Sequence, residues 1–144
     1  MPTNHTNLTG LDLRRKVMEA MGWKIDESFR EGWRYWLVRP NGGDVLSSNL
    51  TIETVIERMP AIELDPAVSE PLFLEFCEKH EWIWRMWWSK NGDRSAMIQM
   101  YRNTEEARED IECGDDTPDF EVTGSTPSEA RAKAILAAVV QEAE

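Results

Sequence analysis

Six basic residues, Arg34, Arg39, Arg85, Lys90, Arg94 and Arg102, interleave with Trp36, Trp84, Trp87 and Tyr101 along segments that alternate in polarity. Indole and phenol faces stack on flat bases, and guanidinium groups pair with phosphate oxygens in a two-pronged fork. Trp36, Arg39, Trp84, Arg85, Trp87, Arg94, Tyr101 and Arg102 are therefore the candidate site for a small anionic ligand of nucleotide size. The plainer reading is that the arginines lie over the indoles as cation–π partners and cover them from water.

Other chemistry has less to stand on. His5 and His80 are the only histidines, and Cys77-x-x-His80 lacks the second ligand pair of a tetrahedral zinc site. Asp110, Glu112, Asp115, Asp116 and Asp119 lack the alternating loop with a closing Glu that calcium requires. No Gly-x-Ser-x-Gly elbow occurs, and Gly42-Gly43 and Gly124 read as turn glycines, not as a phosphate cradle. The sequence thus implies no catalytic residue, no metal and no cofactor. It reads as a binding protein, not an enzyme.

These residues need elements to position them. Residues 1–8 read as a flexible polar lead, and 9–144 as a single domain. Thr9 with Asp12 predicts an N-cap; Leu13, Val17 and Met21 follow at helical spacing, Arg14, Arg15, Lys16 and Glu19 turn outward, and Gly22 stops the helix. From Trp23 to Ser48 the period becomes two, with Tyr35 and Leu37 alternating with Trp36 and Val38, and Asp44–Ser47 returning after a turn at 40–43. Thr51 caps a short helix carrying Val55, Ile56 and Met59, which Pro60 ends. Residues 60–71 read as a connector, with Ser69 capping a helix that runs to about His80 on a buried stripe of Leu72, Phe73, Phe76 and Cys77. The stretch 103–119 reads as an acidic loop holding at most one helical turn, and Phe120–Thr123 as a last strand. Thr126-Pro-Ser-Glu129 is a capping box with Pro at the first helical position, opening an Ala-rich helix to about Gln141.

Between the helix ending near His80 and the acidic stretch lie residues 81–102, which open on a strand carrying Trp82, Trp84, Trp87 and Trp88 with indoles on both faces and turn at Asn91-Gly92. A two-residue turn there predicts that Met86 pairs with Met97 and Trp82 with Tyr101. Three indoles on one face amount to roughly 600 Å² of apolar surface, more than soluble monomers usually leave bare. Both faces then need cover. The order of elements supplies it as an α+β fold, a three-layer α/β/α sandwich around a central, mainly antiparallel sheet.

Three segments carry a family likeness: Leu13–Trp23, Glu78-Lys-His-Glu-Trp-Ile-Trp84 and Ser125-Thr-Pro-Ser-Glu-Ala-Arg-Ala-Lys-Ala-Ile-Leu-Ala-Ala138. They resemble the opening helix, the middle helix running into a strand, and the closing helix of the phage ABA sandwich domain, a family of small bacteriophage and prophage proteins. Residues 40–70 and 103–119 depart from the family pattern. The resemblance implies the sandwich fold and a phage or prophage origin, and brings no catalytic residue with it.

Composition narrows the partners. With 16 basic against 27 acidic residues in 144, the net charge of −11 disfavours DNA, RNA and anionic membranes. Two isolated cysteines fit a reducing cytoplasm, and no apolar run reaches the ~20 residues of a membrane span. The expectation is a cytoplasmic, non-catalytic phage-type accessory protein that sequesters a nucleotide-type signal of bacterial defence, an anti-defence sponge in the host cytoplasm. The alternatives are an acidic inhibitor that docks 103–119 on a basic host protein, and a structural or assembly module that forms a homo-oligomer through the tryptophan hairpin.

Overall fold

Helix ends are written locally in this chain, and most of them form where their caps stand. The computed structural model describes residues 8–27, 34–42, 44–48, 51–89, 95–114 and 118–142. The elements are α1 (Gly10–Ala20), β1 (Lys24–Asp26), β2 (Tyr35–Val38), β3 (Asp44–Ser48), α2 (Ile52–Glu57) and α3 (Pro66–His80). They continue with β4 (Trp82–Ser89), β5 (Ser95–Arg102), α4 (Glu105–Cys113), β6 (Phe120–Gly124) and α5 (Pro127–Glu142).

α1 ends as expected. Gly22 takes φ +105°, and the Gly22 and Trp23 N–H groups donate to the carbonyls of Glu19 and Met18, which closes the helix with a left-handed stop. Its start differs, since Thr9 stands at the N-cap without a side-chain bond. Arg14 is also not outward: it is buried and paired with Glu63. Thr51 Oγ1 accepts from the Thr54 N–H at 3.3 Å and caps α2, and Thr126 Oγ1 accepts from the Glu129 N–H at 3.1 Å and caps α5.

α3 begins a turn earlier than the sequence reading placed it. Asp65 is its cap, with Oδ1 accepting from the Ala67 N–H at 2.9 Å, and Pro66 holds the first position. Ser69 is a buried core residue, not a cap, and Pro71 lies inside the helix. The helix tolerates Pro71 because Pro71 and Ala67 face outward, where water can take the carbonyl left without its N–H partner. The stretch 103–119 likewise holds a full helix, α4. Thr104 Oγ1 caps it through the Ala107 N–H at 3.1 Å, and Gly114, φ +79°, follows its end.

The chain is mixed α+β, and every strand pair among the described residues is antiparallel. Where the sequence expects one central sheet, the described strands form two, β1-β2-β3 and β4-β5-β6. α2 packs on β2 and β3, while α5 lies on β5 and β6 and also touches α1 and α3. That central place explains why α5 is buried around most of its girth and is built from alanine.

The hairpin register differs by one residue from the Asn91-Gly92 prediction. Trp82 pairs with Arg102, Trp84 with Met100, Met86 with Ile98 and Trp88 with Ala96, and residues 90–94 lie outside the described residues. A slip of one residue moves a whole strand's side chains to the other face. Met97 and Tyr101 therefore join Ile83, Arg85 and Trp87 instead of Trp82 and Trp84. The tryptophan-rich side gains Ala96, Ile98 and Met100, all fully buried, together with Val122 of β6. The opposite side carries Ser95, Met97, Gln99, Glu121 and Thr123 and is less covered. Cover is thus unequal, because the observed register gathers most of the apolar surface on the helix-facing side.

Candidate functional site

The arginine–tryptophan set does not assemble in one place. Trp36, half-buried, and Arg39, exposed, belong to the first sheet and its end. Trp84 faces the helices and meets the edge of Phe73 at 5.2 Å between ring centres. Arg102 lies on that side too, its guanidinium 4.3 Å from the centre of the Trp82 indole. Arg85 and Trp87 stand together on the opposite side, the guanidinium 4.7 Å above the ring, and Trp87 is 41% exposed. Tyr101 shares that side but is buried, with its hydroxyl donating to Gln99 Oε1 at 2.8 Å. Arg94 lies outside the described residues.

A concave site forms elsewhere. Ala20 and Met21 at the end of α1, Lys79 and His80 at the end of α3, and Val139 and Glu142 at the end of α5 line a pocket of about 400 Å³, with Leu72, Glu75 and Phe76. α3 and α5 run the same way. Ser69 donates to Ser128 at 3.0 Å near the start of both, and His80 meets Glu142 at 3.1 Å near the end of both. Arg131 reinforces the first junction by donating to Ser69 Oγ at 3.1 Å.

One carboxylate organises the far end. Glu142 Oε1 accepts from the Trp82 indole N–H at 2.9 Å, and its Oε2 faces His80 Nδ1. The His80 ring stacks on Phe76 at 4.3 Å with 23° between planes, and the Trp82 ring is braced by the edge of Phe120 at 5.3 Å. Trp82 itself is 3% exposed, so the indole N–H must have an acceptor, and Glu142 is it. The run Arg102–Trp82–Glu142–His80–Phe76 links one sequence-derived site residue to the pocket.

A His–carboxylate pair can move a proton, but no hydroxyl or thiol is among the residues lining the pocket. Cys77, one turn before His80, is buried in the core, and burial pushes its thiol up to about 12. Among the described residues no three of His, Cys, Asp and Glu gather as metal ligands, and no helix is long and apolar enough to cross a membrane.

Sequence reasoning found Leu72 and Phe76 as a buried stripe and passed over Lys79, Val139 and Glu142. The available signal was an acid, Glu142, in the last turn of a helix, where the dipole disfavours it. Compared with family models, with curated proteins and with solved structures, the chain gives no match to any of them.

Proposed function

We propose that this protein is a non-catalytic binding protein that takes up a small ligand in the pocket between α1, α3 and α5. The observation that carries the reading is the make-up of that pocket. Its volume of about 400 Å³ is walled by Leu72, Phe76, Met21 and Val139, with four polar groups, Glu75, Lys79, His80 and Glu142. Small-molecule sites have this composition and run from roughly 300 to 1,000 Å³. A phage-type accessory role belongs to the same proposal, as does the three-layer sandwich, in which α3 and α5 supply the layer on one side of the β4–β6 sheet. Sequestering a small signal requires a pocket and no catalytic centre.

A thermal-shift panel of small metabolites, nucleotides among them, tests the reading. A ligand at about a hundredfold excess over its Kd adds ~2.7 kcal/mol and raises the midpoint by several degrees. The expected result is a hit that Leu72→Gln loses while remaining folded. No hit across the panel, or a hit undiminished in that variant, rejects the pocket.

A second reading is favoured by the Arg85–Trp87 pair on the less covered side of the sheet. A flat anion can stack on the exposed part of the Trp87 indole beside the guanidinium. In this reading Trp87→Ala and Arg85→Ala abolish stabilisation by a nucleotide and Leu72→Gln does not. The pocket reading expects the reverse.

A further inference from the structure

Three helices bring their carboxyl ends to one pocket. Each helix end carries roughly half a negative charge from carbonyls without intrahelical partners. α3 answers its own end with Lys79 and His80, but neither α1 nor α5 has a basic residue in its last turn. Glu142 adds a full charge at the α5 end, where the dipole repels it, and Glu75 adds another at the exposed edge of the pocket. Two donors, the Trp82 indole and His80 Nδ1, hold the Glu142 carboxylate against that repulsion. A carboxylate offers about four acceptor positions, so this one is fixed in orientation with capacity to spare.

We propose that the pocket binds an organic cation: an ammonium head received by Glu142 and the ends of α1 and α5, on an apolar body laid against Phe76, Leu72 and Val139. This inference rests on the pocket being the binding site. Even with Lys79 and a protonated His80 counted, the helix ends and two carboxylates leave the site negative. Lys79 is exposed on a flexible stem and can swing into water, whereas Glu142 is anchored. The net charge of −11 adds a long-range field of the same sign, which draws cations and slows anions. The apolar walls exclude inorganic cations, which need several oxygen ligands, and favour a head with a carbon body.

Three probes that differ chiefly in the head decide it: phenethylammonium, phenethyl alcohol and phenylacetate, titrated into the intact chain. Calorimetry gives affinity, and the indole N–H resonance of Trp82, assigned by its loss in Trp82→Phe, reports occupancy beside Glu142. The expected result is about tenfold tighter binding of the ammonium than of either other head. Its binding shifts the Trp82 signal, and Glu142→Gln removes the preference while keeping an oxygen acceptor for the indole. Glu75→Gln touches neither Trp82 nor His80 and weakens the preference in a fold left intact. Equal or tighter binding of the alcohol or the carboxylate overturns the cation assignment and leaves the pocket standing. Failure of all three heads to bind the folded protein overturns this inference, whereas the pocket itself stands or falls by the metabolite panel and Leu72→Gln.

Discussion

Arg14 of α1 holds Glu63, 49 residues further along, in a two-pronged ion pair, Nε to Oε1 at 2.7 Å and Nη2 to Oε2 at 2.9 Å. The two residues are 6% and 4% exposed, and Arg14 Nη1 also donates to the Glu57 carbonyl at 3.2 Å. The pair fastens α1 to the end of α2 and to the connector behind it. Breaking such a pair leaves one buried charge alone, which costs about 3–5 kcal/mol. Arg14→Ala and Glu63→Ala are each expected to lose that much in urea unfolding. The double replacement Arg14→Met with Glu63→Met should recover most of the loss. A double variant as unstable as the single ones would show that the charges themselves are indispensable.

Gly124 ends β6 where α5 crosses it. A Cβ there would stand 2.5 Å from the Ala130 nitrogen and 3.0 Å from its Cα, backbone that cannot swing aside. Gly124→Ala must push the Ala130 turn of α5 off the sheet, an overpacking change of about 1–3 kcal/mol. Gly42 is the control: its φ of +90° strains a side chain, but nothing lies within 4 Å of the added carbon. Gly42→Ala should cost about 1 kcal/mol. Chemical denaturation that ranks Gly42→Ala as the worse variant would refute the contact.

Glu129 gives stability a pH dependence of known sign. Burial would raise its carboxyl, but hydrogen bonds from Ser125 and Lys133 and the Lys133 charge outweigh burial and hold it below the ordinary glutamate value. A folded value below the unfolded one means the carboxylate's contribution is complete above the unfolded value and drains away as pH falls through the folded one. Glu129→Gln, which keeps the cap bond from its backbone N–H to Thr126, should be less stable than wild type at neutral pH. The gap should narrow once the pH drops below about 4.3. A gap that widens on acidification would reverse the sign.

The two thiols should behave oppositely. Cys113 is exposed on α4, and Cys77 is buried with its thiol pushed up to about 12. Only the thiolate is nucleophilic, so one equivalent of a disulfide reagent should react promptly with native protein and the second only after denaturation. Two prompt equivalents would mean that α3 opens far more readily than its packing implies.

Local chemistry was legible from residues alone. Thr51, Thr126-Pro127 and Gly22 act within one helical turn of themselves, so their caps and stops need no partner from elsewhere. The same kind of signal stood at Asp65-Pro66 and Thr104, where neighbouring prolines and acidic residues drew attention from it. Three features depended on distant residues. Arg14 looks like a surface cation until Glu63 arrives, and the hairpin register answers to what α5 buries, Ala96, Ile98 and Met100, as well as to its turn. The pocket exists only because α1, α3 and α5 end together. A sequence states where each helix stops, but packing decides which of those ends, and which of their charges, meet.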